Sequence, residues 1–476
     1  MNEFDHEQVK KKKIKKEPLY IILCIFCLVL GSIGGYFYRG FHISKEQLQA
    51  KSLYDEISEV ISRDFVDLAE SDVSLQDRML WGMVKGLGDP HSSYLSLQQA
   101  RDLTDSINGS FQGIGVSFLN IEGGALIIDV FQNSPAMQAG LQKGDLITHV
   151  EGTSIAGYDA VKIKQSLQGK EGEVVSLRLL RNGKTHNVKC SRAHVESSVE
   201  YEVRKVNKKP VGYIRLTTFG ENSHQYFEEA LKSLTSQGVE DLVIDLRDNG
   251  GGYLEAAKDI LDLFIDEGEV LIRVENKNGD EEVHKASQRD KYHFEHGYVL
   301  VNGKSASASE VMTGALKELL DYQIVGSQTY GKGTVQMQYT LSDSSVLKYT
   351  KARWLTPSGK SINGIGFTPD VKVNAQTIED FYGGELEKDY RYDDVHKQIA
   401  MMQKALHYLE YPVDRQDGYF SKQTQTALKT FEKDYHLKQN GVFEKADSSI
   451  LMSAVAYRMY QVKPDVVFEK VKTILK

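Results

Sequence analysis

Tyr298-Val299-Leu300-Val301-Asn302-Gly303-Lys304-Ser305-Ala306-Ser307-Ala308-Ser309-Glu310-Val311 is the stretch whose reading decides the fold. Its four leading apolar residues suit a buried strand, and Asn302-Gly303 suits a sharp turn. From Ser307 the pattern S-x-x-E opens a helix that Val311, Leu316, Leu319 and Leu320 continue. Strand, turn and helix in that order form one arm of an α/β unit. Two further apolar runs, Val211-Gly212-Tyr213-Ile214-Arg215-Leu216 and Leu242-Val243-Ile244-Asp245-Leu246, alternate with helical patterns over 225–234 and 255–264. Residues 196–377 therefore read as an α/β core with a parallel or mixed sheet.

The same stretch carries candidate chemistry. Ser307 reads as a helix cap alone, or as a nucleophile set where free backbone amides stabilise an oxyanion. Asp245-Leu246-Arg247-Asp248-Asn249-Gly250-Gly251-Gly252 ends another strand, and its glycines let backbone amides approach a substrate closely. Downstream, Lys332 sits in Tyr330-Gly331-Lys332-Gly333-Thr334. To act as a base it must lose its proton near neutrality, a shift from ~10.4 toward ~7 that costs about 4–5 kcal/mol. Gln336, four positions on, faces the lysine if this segment is helical or bent, where its neutral amide can orient the amine without raising its basicity, but sits ~13 Å away along a straight strand. Residues 326–332 fit G-x-x-x-x-G-K, but Gly333 stands where a nucleotide site needs Ser or Thr. The histidines lack ligand spacing such as H-E-x-x-H, so no metal and no cofactor is expected. A trypsin-like Gly-Asn-Ser-Gly-Gly signature is also absent.

The chain of 476 residues, net charge −8, is long enough for roughly three domains. Six lysines against four acids make residues 1–18 a basic tail. Residues 19–38 hold 20 uncharged positions, enough for a helix across a ~30 Å hydrocarbon core. The expectation is a single-pass membrane protein, N-terminus cytoplasmic and bulk extracytoplasmic; a cleaved signal peptide is the competing reading. Cys24 and Cys27 fall in that run, leaving Cys190 as a buried small hydrophobe rather than a disulfide partner. Residues 43–106 show helical spacing suited to a cap or to dimerisation. Residues 107–195 turn to short strands punctuated by Gly123-Gly124, Pro135, Gly140 and Gly144, a compact domain of about 85 residues. A linker over 378–394, a small helical unit over 395–456 and a tail over 457–476 complete the chain.

Together these residues resemble the carboxy-terminal processing peptidases, the tail-specific proteases of the S41 serine peptidase family. The likeness runs from about residue 52 to 456. It implies a multidomain α/β protein: an S41 core of crotonase or Clp-protease type, an inserted PDZ β-sandwich or barrel, the N-terminal transmembrane helix, and a C-terminal three-helix peptidoglycan-binding-like domain. By that resemblance Ser307 in SASASE is the nucleophile, Lys332 in YGKGTVQ the general base and Gln336 its positioner. Amides of Ala308 and of Gly251 or Gly252 would form the oxyanion hole. Phe111-Gln112-Gly113-Ile114-Gly115-Val116 is similar to a PDZ carboxylate loop, in which Gly113, Ile114, Gly115 and Val116 would receive a peptide terminus. Gln168 stands where many relatives carry arginine, and Glu432 where the helical module usually has glutamine. The implied partners are proteins with accessible C-termini, peptidoglycan, the membrane and a second copy of the chain, with no nucleic acid. The rival class is an inert wall-bound PDZ scaffold.

Overall fold

The computed structural model describes residues 45–70, 73–287 and 290–475. They divide into two units, 1–88 and 89–476. The described part of the first holds α1 (Lys45–Asp64) and α2 (Leu75–Lys85), the latter capped by Ser74, whose hydroxyl accepts from Asp77 N–H at 3.0 Å.

The second unit opens with β1 (Ser93–Leu95), α3 (Leu97–Asn108) and β2 (Ser110–Gly113). A sheet follows from β3 (Val116–Ile121), β4 (Gly124–Val130), β5 (Leu146–Val150), β6 (Thr153–Ser154), β7 (Val174–Arg181) and β8 (Lys184–Ser191), with helices α4 (Pro135–Gln138) and α5 (Ala160–Leu167) between strands. Its order is β3-β4-β5-β7-β8, so β3 lies at an edge; β6 pairs with β5, and β9 (Ala193–Glu196) returns to β2. Ile127, Ile147, Ile163, Val175 and Leu179 are fully buried in this domain's own core. Cys190 is among them, its thiol pushed up to about 11 by burial.

The second domain is built on β10 (Val199–Val206), β11 (Lys209–Leu216), β12 (Asp241–Asp245), β15 (His296–Val301), β16 (Gln323–Gly326) and β19 (Val371–Lys372). Strand β10 runs antiparallel to β11, and from β11 onward every pairing is parallel. Helices α6 (Ser223–Ser236), α7 (Leu254–Asp262) and α8 (Ala308–Leu320) make the crossovers. A sheet of this kind must be covered on both faces, because alternate side chains on each strand are apolar. Leu242, Ile244, Val299 and Val301 meet Phe227, Leu231, Ile260, Leu261, Met312 and Leu316 of the crossover helices. Val243, Tyr298 and Leu300 point the other way. They pack against Val467, Phe468 and Val471 of the last helix of the chain. A smaller sheet joins β13 (Val270–Asn276), β14 (Glu281–Lys285), β17 (Thr334–Thr340) and β18 (Val346–Leu355) to β1.

Helices α9 (Lys397–Tyr408), α10 (Lys422–Asp434) and α11 (Lys445–Tyr457) form the helical module, and α12 (Val466–Ile474) ends the chain. Phe420, Leu428, Phe431 and Val455 make one cluster with Ile121, Leu126 and Leu146 of the first sheet, so the module shares a core with that domain. The stretch over 457–476, read from sequence as a tail, contains the helix that closes the second face of the parallel sheet.

One expectation about the fold is corrected. Among the described residues no helix is long and apolar enough to cross a membrane. The longest of them, α1, spans 20 residues but carries Lys51, Asp55, Glu56, Glu59, Arg63 and Asp64, charges that hydrocarbon would strip of water. Residues 19–38, where a spanning helix was expected, lie outside the described residues, as does the basic tail over 1–18. Among the described residues the architecture is a multidomain α/β core with an inserted β domain and a C-terminal helical module.

Candidate active site

Strand β15 delivers its chain through the Asn302-Gly303 turn to Ser307, the cap of α8. Ser307 has φ 57° and ψ −117°, a conformation that costs a non-glycine residue about 1–3 kcal/mol. The surrounding bonds hold it there. Ser305 Oγ donates to Leu246 O at 2.7 Å, and Ala306 N–H donates to Asn249 O at 3.1 Å. Ser309 Oγ donates to the same Asn249 carbonyl at 2.9 Å, while Asn249 Nδ2 donates to Leu216 O at 2.7 Å. Asn249, with no exposed surface, thus binds the 245–252 loop to the nucleophile turn.

Gly251 is required by close approach. It has φ 103°, and a Cβ there would stand 2.8 Å from Ala306 O and 2.9 Å from the Ser307 Cβ. Gly251 N–H itself donates to Asn249 Oδ1 at 2.9 Å. Gly252 turns instead toward Phe219, whose carbonyl a Cβ would meet at 2.3 Å. The first amide of α8, that of Ala308, has no partner inside its helix. Gly251, Ser307 and Ala308 therefore come together at one point, with Gly252 beside them.

Lys332 reaches this point through Glu310. That carboxylate, fully buried, accepts four bonds: from Ser307 N–H at 2.9 Å, Thr329 Oγ1–H at 2.6 Å, Gly331 N–H at 2.7 Å and Lys332 N–H at 2.8 Å. One side chain joins the nucleophile turn to the lysine loop. Behind the loop, the Trp354 indole donates to Lys332 O at 2.9 Å. Burial lowers the Lys332 ammonium from its ordinary value and the Lys348 ammonium lowers it further, while Glu310 and Asp89 act in the opposite sense. Lys348 and Thr350 lie two apart on β18 and so share a face of that sheet. Thr350 Oγ1 donates to Asp89 Oδ2 at 2.6 Å. Gln336 Nε2 donates to Thr334 Oγ1 at 2.9 Å and to Thr350 Oγ1 at 3.3 Å, tying it to the Asp89 cluster rather than to the amine.

At the other expected site, Gly113 ends β2, Ile114 is buried, Gly115 turns with φ 89° against Ser134, and Val116 opens edge strand β3. An edge strand preceded by such a turn can accept an added peptide strand.

From the sequence, Glu310 reads only as part of a capping box and Asn249 only as a member of the glycine loop, while Lys348 carries no reading. A buried acid three residues after a candidate nucleophile was a usable signal. The partners of Asn249 and Lys348 are too distant in sequence to leave one.

Comparison with known proteins identifies the domains along the chain. Residues 210–373 match the model of peptidase family S41, 112–191 that of the PDZ domain and 395–446 that of a peptidoglycan binding domain. A CtpA-like serine protease of Staphylococcus epidermidis is 33% identical over 406 residues, covering 85% of this chain and 82% of that protein. The carboxy-terminal processing protease CtpB of Bacillus subtilis is 32% identical over 423 residues, 88% of each chain. With the S41 core, the PDZ domain and relatives of this similarity over most of its length, the chain belongs to peptidase family S41 as a serine peptidase of the carboxy-terminal processing type.

Proposed function

We propose that the peptidase uses a Ser307–Lys332 centre to cleave proteins outside the cytoplasm, selecting them by a free C-terminus held in the PDZ loop Gly113-Ile114-Gly115-Val116. The observation that carries this reading is the Glu310 carboxylate, which fastens the Ser307 turn and the Lys332 loop to each other in the interior. In the first step Lys332 Nζ takes the Ser307 hydroxyl proton as Oγ attacks the scissile carbonyl carbon. The resulting oxyanion faces the amides of Ala308 and Gly252, the Gly251 N–H being already given to Asn249 Oδ1. The protonated amine then passes its proton to the leaving nitrogen, the C–N bond breaks, and an ester remains on Ser307. Water attacks that ester, giving its proton to Lys332, and the acid product leaves with Oγ reprotonated. Gln336 acts through Thr334 and Thr350 to fix the strand that carries the lysine loop. The helical module would hold the enzyme near peptidoglycan, the ligand class that its family model suggests.

Ser307→Ala and Lys332→Ala on a peptide with a free C-terminus test the centre: both should lose cleavage by more than about a thousandfold. Equal residual cleavage in both variants, matching wild type, would leave the inert-scaffold reading in its place. C-terminal amidation of the peptide tests the PDZ assignment, and should raise KM.

A further inference from the structure

The 245–252 loop is held from two sides. Asn249 grips it from the nucleophile side. On the opposite side stands Arg247, whose guanidinium donates to Asp245 through Nε at 2.9 Å and through Nη2 at 2.5 Å. Asp245 Oδ1 also accepts the Arg247 backbone N–H at 3.0 Å, and its other oxygen accepts the Tyr213 hydroxyl. Two further guanidinium hydrogens go to a residue 218 positions away. Arg247 Nη1 donates to Asp465 Oδ1 at 2.9 Å, and Nη2 donates to Asp465 Oδ2 at 2.7 Å.

Asp465 caps α12, with Oδ1 accepting from Val467 N–H at 3.0 Å and Phe468 N–H at 3.2 Å. Capping alone needs one oxygen, and Asn or Ser would serve as well. Here both oxygens also face Arg247, Oδ1 accepting from Nη1 as well as capping and Oδ2 accepting from Nη2, a two-pronged carboxylate–guanidinium pair of fixed geometry. Its base is firm: Val467, Phe468 and Val471 are buried on the sheet face formed by Val243, Tyr298 and Leu300. Arg204 lies 3.4 Å over the Tyr213 ring and 4.4 Å over that of Phe468, which ties α12 to the strand carrying the Tyr213 hydroxyl.

We propose that Asp465, at the start of the last helix, is a positioning residue for the oxyanion loop: it fixes Arg247, and through it the 245–252 turn that lies against Ser307. The C-terminal segment is on this account a working part of the catalytic domain. The inference rests on the Ser307 mechanism proposed above. A loop with freedom to move at Arg247 places the glycine amides off the developing oxyanion, and such misplacement costs rate while leaving peptide capture at β3 untouched.

The test uses the full chain, a free-C-terminus peptide and a fluorophosphonate that labels reactive serines. Asp465→Asn and Asp465→Ser both keep a capping oxygen and lose the paired charge. Each should lower kcat and the labelling rate of Ser307 by roughly ten- to a hundredfold, with KM and Tm near those of the parent. Asp465→Glu, keeping the charge on a longer arm, should restore part of the rate. Val471→Ala, which loosens α12 without touching the pair, should lower Tm and leave kcat near wild type. Wild-type kcat in the Asn and Ser variants overturns the proposal, as does an equal loss of kcat in Val471→Ala. If Ser307→Ala cleaves as well as wild type, the mechanism has failed instead, and the two failures are distinguishable.

Discussion

Two regions of this peptidase are each built around a glutamate with no exposed surface, and they treat it differently. In the catalytic domain Glu310 has four donors spread over both of its oxygens. In the helical module Glu432 takes only the Gly441 N–H, shared between its oxygens at 3.1 and 3.0 Å. Burial pushes the Glu432 carboxyl up to about 7, with neighbouring Asp447 and Glu444 adding to the rise and the Gly441 amide opposing it. A buried acid becomes a structural joint when enough donors converge on it. With one donor it becomes a site sensitive to pH.

The sharpest way to break this comparison is Glu310→Gln. The amide keeps the shape but sets an NH2 against donors already pointing inward, so kcat should fall by more than about a hundredfold. Circular dichroism should still report a folded chain, and retained turnover would mean that the joint is dispensable. The effect at Glu432 should be smaller and of opposite sign. Its folded carboxyl binds a proton more tightly than the unfolded one, so the module loses stability as pH rises from the ordinary glutamate range through about 7. Glu432→Gln removes that loss, and should raise stability by about 1–3 kcal/mol at pH 8 while changing it little at pH 4. Thermal melts at the two pH values measure it; an equal change at both would count against the proton account.

The smallest effect sharpens the electrostatics around Lys332. Lys348→Gln removes a like charge that helps lower the Lys332 ammonium, so the acid limb of the kcat/KM profile should move to higher pH. Lys348→Arg should leave the limb in place. Identical profiles for Gln and wild type would restrict the cause to burial alone.

What could be read from the chain followed the reach of local pattern. Val299-Leu300-Val301 and its turn were legible because strand period and turn chemistry act over a few residues. The family likeness of SASASE and YGKGTVQ then pointed to Ser307 and Lys332. The substitution at Glu432 was visible as an oddity, but its consequence required knowing that Gly441 is its one hydrogen-bond donor. The Asp465–Arg247 pair and the role of α12 were illegible for a plain reason: both faces of strand β12 read as apolar, and nothing local states which distant helix covers each. The expected spanning helix came from an apolar run outside the described residues, and composition alone had no way to weigh it against the folded body.

The left-handed backbone at Ser307 has one more consequence. A glycine there would relax a torsion that serine endures, so the Ser307→Gly protein should be more stable than its parent by about 1 kcal/mol, even though it hydrolyses nothing. Disarming the enzyme would toughen it, and calorimetry of the two chains would show how much resilience this fold gives up to keep its hydroxyl aimed.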